Sequence, residues 1–300
     1  MENKKDYFYN IDQLKGLAIL LMVMAHVLAW SYTDYSFLKG ALIDMTKEEF
    51  NASLIWKIIY SFHMPLLFFA SGYLFYKVRP YDWINVKQLL LKRINRLLIP
   101  YLTTGVFVLF LKGYFGYWFF QVLFVLNVIV LLELFIESKI RVNIFGECAC
   151  HIFVFLILFI ISKCLSGFFS LPQEFANITG LHNYYLAFMF GFLVHKWPCI
   201  ERLIQCHSIG LGLFFLYILL MTLASYYGIK GIYCMLIPIL AISFLFGIFN
   251  NRINKGGLLS TIGKNSMEIY IMHLFFVMPF KEMGIYILLK FPTPNKEGGK

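Results

Sequence analysis

Charged residues are scarce in this chain of 300 residues. Asp, Glu, Lys and Arg together make up 14% of it, whereas apolar residues make up 60%. Soluble domains carry about 25% charged residues, because polar groups must cover a surface that faces water. The composition therefore excludes a soluble protein of this length, and no stretch between the apolar runs is long enough to form a soluble domain.

Cysteines at metal-ligand spacing and a cleavable leader are also lacking. The closest pair, Cys148 and Cys150, has one intervening residue, which is too few for a zinc knuckle. We therefore expect the six cysteines to be structural, with no metal site and no tightly bound cofactor. The first apolar run begins near Leu14 without a small-residue cleavage site, so it is interpreted as a signal anchor that stays in the protein.

Long apolar runs dominate the rest of the sequence. A membrane-spanning helix needs about 20 mostly apolar residues. The runs predict an all-α fold, a single polytopic transmembrane helix bundle over residues 1–300 with about nine helices. The predicted segments are 14–31, 55–76, 97–115, 117–136, 151–170, 183–197, 208–227, 231–249 and 267–289. Tight turns around Gly116 and around Gly228–Gly231 predict helical hairpins.

The basic residues orient this bundle. If the N-terminus is cytoplasmic, sixteen Lys and Arg fall in inside stretches and six fall in outside loops. Positive residues are retained on the cytoplasmic side of membrane proteins. We therefore expect a cytoplasmic N-terminus, and we attribute the net charge of +10 to topology rather than to nucleic-acid binding.

The first apolar run contains two ionisable residues, which are costly in a bilayer and therefore mark a candidate site. Lys15 and His26 are eleven residues apart, about 16 Å along a helix axis. Eleven steps of about 100° return to nearly the same face of the helix. We expect Lys15 at the cytoplasmic mouth and His26 below it near mid-membrane. Asp12, just outside the helix, is a weaker candidate that could pair with Lys15.

The second run enters from the opposite side and carries His63 about 12 Å deep, which is nearly the depth of His26. Either histidine alone is more simply interpreted as a hydrogen-bonding partner of a neighbouring helix. The pair at one depth, with an aligned lysine, favours a site.

His273 in the last run, one turn after Tyr270, is a third candidate. Four further histidines fall at predicted helix ends or in loops and are not expected to take part: His151, His182, His195 and His207.

The strongest basic cluster lies in segment 77–96 and ends in Lys92, Arg93 and Arg96. One interpretation is contact with anionic lipid head groups, together with a role in topology. The other is a cytoplasmic anchor for a phosphate-bearing donor, which guanidinium groups bind well.

Several motifs resemble acyltransferase family 3, the membrane O-acyltransferases of bacterial surface sugars. Lys15 and His26, with ten residues between them, resemble the family's opening helix, with lysine in place of the commoner arginine. SFHMPLLFFASGYLF at 61–75 is very similar to its second-helix motif. Further matches, in order, are RINRLLIPY at 93–101, YWFF at 117–120 and SMEIYIMH at 266–273. The matches span residues 11–273. Family members have about ten helices, so either the last helix is missing here or segment 267–289 is two pieces.

The resemblance implies transfer of an acetyl or other acyl group from acetyl-coenzyme A, a co-substrate, to a hydroxyl of a cell-surface or lipid-linked carbohydrate, in a bacterial cell membrane. It suggests His26 as the catalytic base, and His63 or Tyr270 as donor to the oxyanion. Coenzyme A would bind through Lys15, Arg93 and Arg96. The alternatives are a transporter or flippase of sugar-linked lipids, in which the histidines relay protons, and a glycan polymerase, which tends to carry a larger outer loop.

Overall fold

The computed structural model describes residues 8–31, 54–76, 82–112, 116–140, 144–168, 179–251 and 257–277. These ranges are helical and contain no strand, which confirms the all-α prediction. The helices are α1 (Tyr9–Ser31), α2 (Leu54–Phe75), α3 (Trp83–Arg93), a π-helical turn (Ile94–Leu98), α4 (Ile99–Lys112), α5 (Trp118–Ile140), α6 (Ile144–Phe168), α7 (Leu181–Lys196), α8 (Pro198–Gln205), α9 (His207–Tyr227), α10 (Lys230–Asn251), α11 (Leu258–Lys264) and α12 (Ser266–Val277).

Five of the described helices are long and apolar enough to cross a membrane, namely α1, α2, α5, α6 and α9. Each of the nine predicted segments overlaps a helix within the described residues, but a count of nine spans is not confirmed. Helix α7, for example, has 16 residues, and a helix of that length rises about 24 Å, less than the apolar thickness of a bilayer. Residues 278–289 of the ninth segment lie outside the described residues.

The predicted hairpin between α9 and α10 is present. Helix α9 ends at Tyr227, and Gly228 follows it with φ 67° and ψ 28°. This left-handed conformation carries no steric cost for glycine and reverses the chain within three residues. At the other predicted turn, Gly116 lies two residues before the start of α5, and residues 113–115 lie outside the described part of the chain.

Among the described helices, two pairs make the closest backbone approaches. Helix α1 packs against α11 where Gly16 meets the carbonyl of Leu259 and Gly263 meets the carbonyl of Asp12, leaving no room for a Cβ atom on either glycine. Helices α2 and α7 meet in the same way at Gly72 and Gly191. Small residues are favoured where membrane helices touch, because they allow close van der Waals packing of the backbones. These contacts fix α1 and α2, which carry Lys15, His26 and His63.

Gly263→Ala is expected to force α1 and α11 apart, because the added methyl group overlaps the carbonyl oxygen of Asp12. Overpacking of this kind costs about 1–3 kcal/mol, so the thermal unfolding midpoint in detergent should fall. The control is Gly210→Ala on α9, where a Cβ atom meets nothing within 4 Å. That variant should equal or slightly exceed the parent protein, because alanine favours a helix. Equal midpoints for the two variants would contradict the close packing.

Candidate functional site

Four side chains of α1 form one stripe that faces the interior of the bundle. Lys15 and Ile19 line one cavity, and Met22 and His26 line a second cavity further along the same helix. Their spacing of four, three and four residues keeps them on one helix face. Lys15 and His26 therefore share a face, as their separation predicts. Helix α1 begins at Tyr9, so Asp12 lies inside the helix and not just outside it as expected. The Lys15 ammonium pairs with Oδ1 of Asp12 at 2.7 Å, so Asp12 holds the lysine at the cavity wall.

The histidine cavity has a volume of about 290 Å³ and is lined by both His26 and His63. The two imidazoles reach it from α1 and α2, which run in opposite directions, as their matched depth predicts. Trp118, Asn183, Pro238 and Tyr270 close it from α5, α7, α10 and α12. Six helices thus contribute to one chamber that is large enough for part of a substrate.

His26 and His273 stack in the wall of this chamber. Their ring centroids are 5.2 Å apart with an interplanar angle of 19°, and Nδ1 of His26 lies 3.2 Å from Nε2 of His273. Nδ1 of His273 lies 2.5 Å from the carbonyl oxygen of Tyr270. A carbonyl can only accept, so neutral His273 carries its hydrogen on Nδ1 and accepts at Nε2. His26 then donates from Nδ1, which leaves its lone pair on Nε2.

His63 is held by the same kind of contact. Its Nδ1 lies 2.7 Å from the carbonyl oxygen of Ile59, one turn earlier in α2. The neutral ring therefore donates from Nδ1 and accepts at Nε2. The Tyr60 ring packs edge-on against it, with centroids 4.9 Å apart. Both histidines of the chamber are thus acceptors at Nε2, because Nδ1 of His63 donates to the Ile59 carbonyl and Nδ1 of His26 donates to His273.

The second chamber is basic. Its volume is about 170 Å³, and Lys15, Arg93 and Arg96 all line it, together with Ser71 and Asn127. The two arginines lie three residues apart across the junction of α3 with the π-helical turn, a distortion that is frequent at functional sites. This chamber unites the lysine of α1 with the basic cluster that the sequence singles out.

Unlike the exposed Arg96, Arg93 is partly buried. Its guanidinium carbon lies 5.2 Å from the centroid of the Phe75 ring. Burial, together with the like charge of Arg96, lowers the pKa of Arg93 below its usual value. An anion in the chamber would relieve both effects, because it replaces lost hydration and offsets the repulsion between the guanidinium groups.

Tyr270 lines both chambers and is therefore the wall between them. Its hydroxyl accepts a hydrogen bond from the backbone N–H of Phe119 at 3.3 Å. Tyr117 fixes the same junction, since its hydroxyl donates to the carbonyl of Ile271 at 2.5 Å. Tyr117 has φ 71°, a conformation that costs energy for a residue with a large side chain and that the surrounding packing must support. The start of α5 and the middle of α12 are thereby locked together.

The sequence predicts the charged residues of these chambers but not their asparagines. Asn127 and Asn183 lie in apolar runs, and their amide groups carry no charge that would draw attention to them. The expectation that His151 lies at a helix end is wrong. Helix α6 begins at Ile144 rather than at residue 151, so His151 is inside the helix, and it is buried against Glu133.

The apolar helices, with histidines and cations lining the chambers between them, define a polytopic membrane protein with a site inside the bundle. A family model described as an acyltransferase domain matches residues 8–293. The chain therefore belongs to acyltransferase family 3 and is a membrane acyltransferase, as its motifs indicate. No curated protein and no solved structure matches it.

The histidine contacts predict a specific tautomer, which the ¹⁵N chemical shifts of ring nitrogens in histidine-labelled protein report. His26 should be protonated at Nδ1 and bare at Nε2, because His273 accepts its hydrogen. In His273→Phe the acceptor is lost, so at least part of the His26 population should move to the Nε2–H form. His63 is the internal control, since its partner is the Ile59 carbonyl and its spectrum should not change. A His26 ring protonated at Nε2 in the parent protein would refute the arrangement.

Proposed function

We propose that this protein is an O-acetyltransferase of a bacterial cell membrane. It transfers an acetyl group from acetyl-coenzyme A to a hydroxyl of a cell-surface or lipid-linked carbohydrate. The observation that carries the proposal is the pair of chambers, one basic and one with two histidines, which share Tyr270 as their common wall. An anionic donor and a proton-accepting group are thereby adjacent within one bundle.

The basic chamber is suited to the phosphates of coenzyme A. Lys15, Arg93 and Arg96 supply three cations at one place, and guanidinium groups bind phosphate through two parallel hydrogen bonds. In the orientation that the basic residues predict, this chamber opens toward the cytoplasm, where acetyl-coenzyme A is made. The slender pantetheine arm would pass Tyr270 and bring the thioester into the histidine chamber.

His26 is the proposed general base. Its Nε2 takes the proton of the carbohydrate hydroxyl while the hydroxyl oxygen attacks the thioester carbonyl carbon. The carbon–sulfur bond then breaks, and the leaving thiolate takes up the proton from the His26 imidazolium. His273 stabilises that imidazolium through the hydrogen bond at Nδ1 of His26. This orientation of a base by a third group is the general logic of catalytic triads.

The negative charge that develops on the thioester oxygen needs a hydrogen-bond donor. Tyr270 and His63 are the two candidates. Neutral His63 already uses its hydrogen on the Ile59 carbonyl, so at Nε2 it can accept but not donate. Tyr270 carries a hydroxyl on the boundary between the chambers and is the proposed donor. His63 is then suited to accepting a hydrogen bond from the incoming carbohydrate hydroxyl.

His26→Gln is expected to lower acetyl transfer by about 10²–10⁴-fold, the usual contribution of a general base. The assay incubates membranes with labelled acetyl-coenzyme A and a candidate glycan and measures label in the glycan. His207→Gln is the matched control, because His207 is exposed at the start of α9, and it should retain activity. Undiminished labelling by His26→Gln would refute its role as base. Movement of glycan across the membrane without label would instead favour a transporter.

Lys15→Ala is expected to raise the KM for acetyl-coenzyme A by about 10–100-fold, since a charge-assisted hydrogen bond contributes about 1.5–3 kcal/mol. The kcat should change much less, because the lysine contacts the donor far from the reacting carbon. Lys139→Ala, at an exposed position near the end of α5, is the control and should leave KM unchanged. An unaltered KM in Lys15→Ala would mean that this lysine serves only in membrane orientation.

A further inference from the structure

We propose that Glu133, Glu137 and His151 form a binding site for a divalent transition-metal ion such as Zn²⁺. The three side chains meet where α5 faces α6, and none of them lines either chamber. The site revises the expectation from the cysteine pattern that the chain holds no metal. It does not depend on the proposed acetyl transfer.

The three ligand atoms are close enough for one ion. Nδ1 of His151 lies 2.6 Å from Oε1 of Glu133 and 3.7 Å from Oε1 of Glu137, and all three atoms lie within 4.8 Å of one another. Zinc holds such ligands at about 2.0–2.2 Å, which sets tetrahedral ligand atoms about 3.4 Å apart. Small rotations of the side chains would therefore admit the ion without movement of the helices.

The local sequence explains why these residues converge. Glu133 and Glu137 are four residues apart on α5, so their carboxylates lie on one helix face. His151 comes from the following helix, α6, and lies at the same level. Glu and His in this combination form an oxygen and nitrogen ligand set that zinc and neighbouring first-row metals accept.

Burial is the second observation that points to a ligand. The exposed fractions of Glu133, Glu137 and His151 are 6%, 8% and 7%. Oε1 of Glu137, which lies 3.7 Å from Nδ1 of His151, is buried and has no hydrogen-bond partner among the described residues. Buried polar atoms in native proteins are almost always partnered. An acceptor aimed at the centre of the cluster without a donor is explained if a cation lies there.

Charge balance supports the same conclusion. Two carboxylates and a neutral imidazole carry two negative charges, which is costly in a protein interior of low dielectric. The nearby ammonium group of Lys196 is already paired with Glu147. A divalent ion would bring the charge of the cluster to zero. Protonation of one carboxylate and of the imidazole would also bring the charge of the cluster to zero, without a metal. Measurement of bound zinc distinguishes these two cases.

Tyr185 orients the cluster from a third helix. Its hydroxyl lies 3.0 Å from both oxygens of Glu133. Hydrogen bonds from an outer group commonly fix the ligands of a metal site. A bound ion would thus clamp α5 and α6 to α7, and α5 and α7 supply Trp118 and Asn183 to the histidine chamber.

The test is metal content of the full-length protein, purified in detergent with an affinity tag that lacks histidine. The protein is stripped with chelator, loaded with Zn²⁺ and freed of excess, and the retained zinc is measured by mass spectrometry. The parent protein should hold about one zinc per chain, in keeping with a single three-residue site. Glu137→Gln and His151→Gln should each retain at most about one tenth of the zinc that the parent protein holds. Glu268→Gln, which changes an exposed carboxylate on α12 away from the cluster, is the control and should retain the parent content.

Thermal unfolding is a second readout that remains valid where one variant folds poorly. Zinc should raise the midpoint of the parent protein by several degrees and leave the Glu137→Gln midpoint unchanged, because only the native state of the parent binds it. A parent protein without retained zinc would overturn the proposal, and so would equal retention in Glu137→Gln. Zinc lost in His273→Phe but kept in Glu137→Gln would place the ion at the histidine chamber instead and would also overturn it.

Discussion

The contact between His26 and His273 depends on the close approach of α1 to α11. Gly16 and Gly263 let the two backbones touch, and α11 leads directly into α12. Helix α12 is thereby brought alongside α1, so that His273 reaches His26. Without glycine at these positions the helices would stand further apart by the width of a side chain, and a hydrogen bond of 3.2 Å between the rings could not form.

The polar groups of the site face chambers between the helices of the bundle, although the helices themselves are apolar. Backbone carbonyls fix the hydrogens of His63 and His273, and His273 in turn fixes the hydrogen of His26, so no charge is needed to hold the rings in place. The cations are gathered in a separate chamber, with Tyr270 between the two. This separation keeps permanent positive charge away from His26, whose proposed role as a base requires it to be neutral before it accepts a proton.

The orientation of helices α5 and α7 depends on a different set of contacts. They contribute walls to the chambers at one end and carry the buried Glu133 and Tyr185 elsewhere along their length. In an apolar setting such polar contacts are directional, whereas contacts between apolar side chains allow sliding and rotation. The cluster around Glu133 therefore sets the rotation of these helices, and with it the direction in which Trp118 and Asn183 point.

The sequence by itself determined the all-helical membrane class, because a chain so poor in charge has few other folds available. It also determined that Lys15 and His26 share a face, since helical periodicity is local. The pairing of His26 with His273, the wall at Tyr270 and the burial of His151 were decided only by tertiary structure. Each joins residues from different helices, and helix order in space depends on packing that a hydropathy pattern does not encode. The number of spans is not settled by length and hydropathy for a related reason, because neighbouring helices can shelter segments too short to cross a bilayer unaided.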